Sequence, residues 1–195
     1  GATGGVARTA AGDAGLAVGS VSGGIPVLAP DAGDDARFGV GGRPRGLAIG
    51  SLVYVAVDDR VLGYGLDGAR RWETPLDGVT ALCWAPGRSR VVAATDAGAF
   101  VLLDAADGSE RGRIDRTHTD VSEAVLLAGR DDEFLAGESW YLTGFGPDGD
   151  RRGGAMLDGT ITGVGLLDGA AVASLHGGRV GRVDAADGTT RWSRA

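Results

Sequence analysis

The sequence predicts an all-β protein, a β-propeller of about five four-stranded blades. Three observations predict it. The dipeptide Asp-Gly recurs at Asp67-Gly68, Asp107-Gly108, Asp148-Gly149 and Asp187-Gly188, at steps of 40, 41 and 39 residues, and a period near 40 is that of a propeller blade. Within each period lie four short runs of β-branched or apolar residues separated by turn residues. Glycine is abundant, 37 of 195 residues, with no collagen-like triplet period, which suits many tight turns and close strand packing.

The unit is clearest over residues 53–76. The apolar run VYVAV (53–57) is followed by the acidic turn Asp58-Asp59. Residues 60–66 alternate, Asp67-Gly68 supplies the positive φ that a tight hairpin requires, and residues 69–76 return with Trp72 as anchor. Labelling four strands a to d outward from the propeller axis, the copies fall at 46–76, 79–116, 121–157 and 161–195. A degenerate copy over 15–45 has 15–20 as strand a, 25–29 within a merged b and c region, and 36–40 as d. It carries Asp31-Ala32-Gly33 in place of the Asp-Gly turn.

The a and b runs are nearly all apolar, as expected of strands buried on both faces, and the d runs are charged (Arg70, Arg71, Glu73; Glu110, Arg111, Arg113; Arg151, Arg152), as expected of an outer edge that must resist pairing. Residues 5–10, GVARTA, look like one more d strand without its own a, b and c. The single domain is therefore expected to span 1–195 with 1–14 as a leftover outer strand. Six d-like strands against five inner sets are accounted for most simply by a longer propeller of six to eight blades. A five-bladed ring with a spare strand, or closure by a second chain, are the alternatives.

Net charge is −7, from 26 acidic and 19 basic residues, and every basic residue is Arg; Lys, Asn and Gln are absent. An acidic, Asp-rich surface stays hydrated and dispersed where salt screens charge to a few ångströms. In this the chain resembles proteins of haloarchaea, with a GC-rich genome as the alternative origin of the same bias. The balance argues against a nucleic-acid partner, which wants a basic stripe. No run of about 18 apolar residues is present to span a membrane and no signal peptide is visible, so the cytoplasm is favoured. Cys83 is the only cysteine, which excludes an intrachain disulfide and a thiolate cluster. Between Leu82 and Trp84 it reads as a small buried apolar residue.

The runs Val53-Tyr54-Val55 … Asp67-Gly68 … Arg71-Trp72, Val101-Leu102-Leu103-Asp104-Ala105-Ala106-Asp107-Gly108 and Val183-Asp184-Ala185-Ala186-Asp187-Gly188 … Arg191-Trp192 resemble the repeats of quinoprotein-type (PQQ-like) propellers and the related WD-like and YVTN-like families. The resemblance covers residues 46–195 and implies the propeller; its motif residues are structural. Quinoprotein dehydrogenases are similar to one another in vicinal cysteines and a calcium site over the quinone, and a chain with one cysteine cannot have that pair. The resemblance therefore argues against the redox enzyme. Trp72 and Trp192 hold the family's d-strand tryptophan in the second and fifth copies, whereas Arg113 and Gly154 lie near that place in the third and fourth. His118 followed by Ser139-Trp140 is faintly similar to the His–Ser–Trp network of WD-type blades, which is architectural.

Turns between b and c strands and loops from d to the next a share one face of a propeller. That placement gathers Asp58, Asp59, Asp96, Glu138 and His176 with Asp77, His118, Asp120 and Asp158 on one rim. Carboxylates and imidazoles converging there suit a divalent cation or a basic partner, although Asp is also what tight turns use. No catalytic set is legible. Neither histidine accompanies a G-x-S-x-G elbow, and Cys83 lies inside an apolar strand. Asp104–Gly108 and Asp184–Gly188 lack the ligand spacing of a calcium loop. Trp140 and Tyr141 open a c strand and read as core. The leading expectation is a non-catalytic scaffold, or a ligand- or protein-binding domain, of a salt-adapted protein. Its partner is a protein or small ligand on the loop face or in the channel, with no cofactor and no assigned metal. The alternatives are part of an enzyme whose active site uses further blades or another domain, and a divalent-metal-binding propeller.

Overall fold

A computed structural model describes residues 5–28, 36–116, 126–131, 133–146, 148–167, 170–184 and 189–194. Its strands pair each with the next into five antiparallel four-stranded sheets. The first holds β1 (Val6–Gly12), β2 (Gly15–Ser20), β3 (Gly24–Leu28) and β4 (Ala36–Gly39). The second holds β5 (Pro44–Ile49), β6 (Val53–Val57), β7 (Arg60–Tyr64) and β8 (Arg70–Pro75). The third holds β9 (Val79–Ala85), β10 (Arg90–Thr95), β11 (Ala99–Asp104) and β12 (Glu110–Asp115). The fourth holds β13 (Leu126–Arg130), β14 (Glu133–Glu138), β15 (Tyr141–Phe145) and β16 (Arg151–Met156). The fifth holds β17 (Ile161–Leu167), β18 (Ala170–Leu175), β19 (Val180–Asp184) and β20 (Thr190–Arg194). The innermost strands of consecutive sheets pack side by side, β1 on β5, β5 on β9, β9 on β13 and β13 on β17. The sheets are the five blades of a β-propeller.

The N-terminal segment differs from expectation. Val6–Gly12 pairs with Gly15–Ser20 and against β5, so it is the innermost strand of the first blade and not a leftover outer one; Gly15–Ser20 is strand b, not a. The first blade is complete from residue 6 to residue 39. The physical reason lies in burial. Most of β1 is exposed, so it lacks the apolar run that marks an inner strand covered on both faces and carries the mixed pattern of an edge.

Four apolar clusters hold the blades, one at each consecutive junction: first to second around Ile25, Val55 and Tyr64, second to third around Tyr54, Trp72 and Val91, third to fourth around Phe100, Phe134 and Phe145, fourth to fifth around Leu135, Ala173 and Leu175. Among the described residues no fifth cluster joins β17 to β1. The central b and c strands of the second and third blades are buried on both faces, which is why they read as continuous apolar runs. The d strands of the second, third and fourth blades carry their charges outward.

The Asp-Gly punctuation acquires a packing role. Gly108 sits at φ 73° in the c–d turn of the third blade, where a side chain is strained. Trp72 and Thr74 of the preceding blade lie so close over it that a Cβ has no room. The Trp72 indole N–H donates to the Ala105 carbonyl at 2.9 Å, and the Thr74 hydroxyl donates to the Gly108 carbonyl at 2.7 Å. Phe38 over Gly68 and Ile114 over Gly149 repeat the arrangement at the neighbouring junctions. Within its own sheet Trp72 stands opposite Gly63. The positions equivalent to Trp72 are Gly112, Gly153 and Trp192, opposite Leu102, Gly144 and Arg182. The tryptophan place in the third and fourth blades is thus one residue before Arg113 and Gly154.

Candidate functional site

The b–c turns are tied to the d–a loops by backbone hydrogen bonds that recur from blade to blade. Leu76 N–H donates to Asp59 (2.8 Å), Asp96 N–H to Gly78 (2.9 Å), Ile161 N–H to Ser139 (2.6 Å) and His176 N–H to Thr160 (2.7 Å). These ties place Asp58, Asp59, Asp96, Glu138 and His176 at the same end of the blades as Asp77 and Asp158. They are distributed one blade apart: among the described residues no three of His, Cys, Asp and Glu come together in a group fit to hold a metal ion. His118 and Asp120 lie outside the described residues.

Arginines occupy much of this rim's negative charge. Asp59 lies 3.6 Å from Arg60, whose guanidinium also binds Glu73 at 3.0 Å. That hydrogen bond to Glu73 pushes the Arg60 pKa above its ordinary value. Asp158 is 2.6 Å from Arg179. The Asp58 carboxylate rests against Gly42 of the loop entering the second blade, and Asp96 rests against Gly78. Asp58 and Ser139 both hold positive φ, 52° and 55°, a conformation that Asp tolerates better than most residues.

Glu138 is fully buried. Its carboxylate accepts from Arg116 Nε at 2.6 Å, and Arg116 Nη1 donates to the Thr95 carbonyl at 3.2 Å. Among the described residues Arg116 Nη2 and Glu138 Oε2 have no hydrogen-bond partner. Glu138 is therefore half of an ion pair clamping the third blade to the fourth. Arg116 escaped the sequence reading as one of nineteen arginines, yet a signal exists in the repeat alignment. The residue after each d strand whose N–H closes onto the b–c turn is Val40, Leu76, Arg116 and Leu157. The b strands of the second to fifth blades end on Val57, Thr95, Glu138 and Leu175, all buried. Opposite charges stand at two aligned positions that are uncharged in the other blades named.

Trp140 is 44% exposed and not in the core as expected. It is the second residue of the Ser139-Trp140 turn and precedes β15, so it escapes the alternation that would bury it. Its ring lies 6.0 Å from that of Tyr141, and Tyr141 stands directly opposite Met156, itself 71% exposed. This is an apolar and aromatic patch on the same rim.

At the opposite end, the innermost strands line an open central cavity of about 860 Å³. Its lining includes Trp84 and Cys83 inside and Asp13, Arg130 and Asp131 in and beside the a–b turns. Arg130 and Asp131 pair at 3.5 Å. Trp84 stacks on Tyr54 at 5.6 Å and is fixed by that contact. Burial pushes the Cys83 thiol from 9.0 up to about 12, so it is neither a nucleophile nor a metal ligand at neutral pH. On the outer side Arg88 reaches across to Asp148 of the next blade at 2.9 Å.

Neither a known protein family nor a curated protein matches the sequence. Solved structures match the fold. BamB from Moraxella catarrhalis is 17% identical, with a TM-score of 0.65 over 97% of this chain and 64% of its own. The structure of U3-55K is 12% identical, with a TM-score of 0.79 over all of this chain and 65% of its own. A structure of BBS1N in complex with ARL6DN is 14% identical, with a TM-score of 0.70 over 92% of this chain and 60% of its own. At these identities the likeness shows the fold alone: the chain is built as a β-propeller and spans less than two thirds of the length of these three structures.

Proposed function

We propose that this chain is a non-catalytic β-propeller scaffold that binds a protein partner on its b–c rim, in a salt-adapted protein. The observation that carries the reading is the patch of exposed Trp140 and Met156 around half-buried Tyr141 on the rim. Aromatic and Met side chains exposed together, with polar turns around them, are what a protein-binding surface places at its centre. Asp58, Asp59, Asp96 and His176 supply an acidic and imidazole-bearing surround that favours a basic partner. Two further observations support a scaffold. Solved propellers of similar fold occur in protein assemblies, BBS1N with ARL6DN and the mitotic checkpoint complex. The rim carboxylates with the best geometry, Asp59, Asp158 and Glu138, are engaged by arginines.

The test is site-specific photocrosslinking in the source cells, with the photoreactive residue at Trp140 or, as control, at Arg71 on the opposite end. A discrete protein adduct at Trp140 and none at Arg71 is the expected result; equal or absent adducts overturn the reading. Salt adaptation is tested separately by thermal melting between about 0.1 and 3 M KCl. At such concentrations the screening length falls to a few ångströms, and Tm should rise with salt for this acidic chain.

A further inference from the structure

We infer that the outer faces of the first and fifth blades are docking faces for further four-stranded sheets of the same repeat, supplied by the same polypeptide, two to three in number. Five blades joined in a row have four junctions, and four are present; a closed ring of five needs a fifth. Among the described residues β17 and β18 make no substantial contact with β1 or β2. On the first blade, Ala17, Ile25 and Val27 face the second blade and are buried, whereas Leu16 and Leu28, paired across β2 and β3, point away and are 36% and 40% exposed. Beside them the innermost strand β1 is open to solvent. An apolar sheet face of this kind is covered at every interior junction of the same molecule. On the fifth blade, Ala171 and Ala173 face the fourth, while Val180 on β19 is exposed and a Cβ on Gly165 of β17 would meet nothing within 4 Å.

The register identifies what should cover the fifth blade. Trp72 docks on the glycine of the next blade's Asp-Gly turn, and Trp192 occupies the same register position in the last blade. That position calls for a following blade with an Asp-Gly c–d turn. Length agrees. A chain of 195 residues that spans 65% of a propeller of similar fold leaves roughly 105 residues of that structure unmatched, between two and three repeats of about 40. A second copy would bring five blades where the length comparison leaves room for two or three.

The test uses the product of the complete reading frame, with single cysteines at Leu16→Cys or Val180→Cys, and Arg70→Cys on the exposed outer edge of the second blade as reference. Native maleimide labelling is followed beside light scattering; Cys83 is buried and stays silent. Labelling of Leu16→Cys and Val180→Cys slower than Arg70→Cys by roughly tenfold or more in a monomer is expected, since a covered site reacts only through opening. Labelling as fast as the reference overturns the inference, and so does slow labelling in a species of doubled mass, which would assign the faces to a second copy. A variant too unstable to purify is replaced by Leu28→Cys, read the same way.

Discussion

The junction between the second and third blades and the outward face of the first are made of the same kind of strand, yet they are physically opposite. At the junction, Val53–Val57 and Arg90–Thr95 are buried on both faces, and Tyr54 and Trp72 are closed between two sheets. On the first blade Gly15–Ser20 alternates buried and partly open residues, and β1 is largely exposed. A propeller strand is therefore defined by its neighbours as much as by its sequence. Cohesion is concentrated between blades, where each buried apolar side chain contributes about 1.5–3 kcal/mol, and thins toward the two ends of the row.

The largest expected effect breaks that contrast at its centre. Trp72→Ala removes a buried indole and orphans the Ala105 carbonyl; it should cost about 3–5 kcal/mol as a cavity, with the lost hydrogen bond adding roughly 1. Phe38→Ala, which empties the matching place over Gly68 in the half-covered first blade, should cost about half as much. Urea unfolding of both variants reads the difference, and equal losses would erase the distinction between interior and terminal blades.

Next is the charged junction between the third and fourth blades. Glu138→Ala leaves the Arg116 guanidinium buried without its carboxylate and should destabilise by about 3 kcal/mol or more. The double replacement Arg116→Met with Glu138→Leu installs the apolar pairing found at the first and last junctions (Val40 with Val57, Leu157 with Leu175) and should recover most of that loss. If the double variant is as unstable as the single one, the pair contributes more than its geometry accounts for. Gly108→Ala follows, at about 1–3 kcal/mol from overpacking and positive φ.

Much of the fold was legible because turn chemistry and burial agree in the interior blades. Asp67-Gly68, Asp107-Gly108 and Asp148-Gly149 mark c–d turns because a glycine without a Cβ is what the preceding blade's d strand can rest on. Legibility failed where burial is one-sided: Val6–Gly12 does not look like an inner strand because half its surroundings are solvent. The shared end of Asp58, Asp59, Asp96, Glu138 and His176 was legible from blade topology. Their partners were not, because Arg60, Arg116 and Arg179 reach them through side-chain geometry that no local pattern encodes. Trp140 was misread for a related reason, since one position of shift between turn and strand decides whether an aromatic ring is in or out.

A smaller effect concerns Cys83, at the back of the third blade's inner strand. Its folded thiol is raised to about 12 from 9.0 by burial, so the folded state holds its proton where the unfolded chain has lost it. Stability from this group is complete below pH 9 and declines as pH rises toward 12, by about 1.4 kcal/mol per unit once the unfolded thiol is ionised. Cys83→Ala should flatten that slope in urea melts between pH 8 and 10.5, and an unchanged slope would show that the thiol is not the titrating group.

The smallest effect sharpens the comparison most. In the 195-residue chain, Leu28→Ser on the outward face of the first blade should shift stability by no more than about 0.5 kcal/mol, because a side chain already 40% exposed gives up little on becoming polar. The same change at Leu47, whose strand is covered on the junction side, should cost at least about 2 kcal/mol. If further blades close over the first, Leu28→Ser in the complete protein should move toward the Leu47 value, because a hydroxyl is then buried with no partner. The two backgrounds, compared by urea midpoint at constant m, turn the cost of one surface residue into a measure of whether that face is a surface.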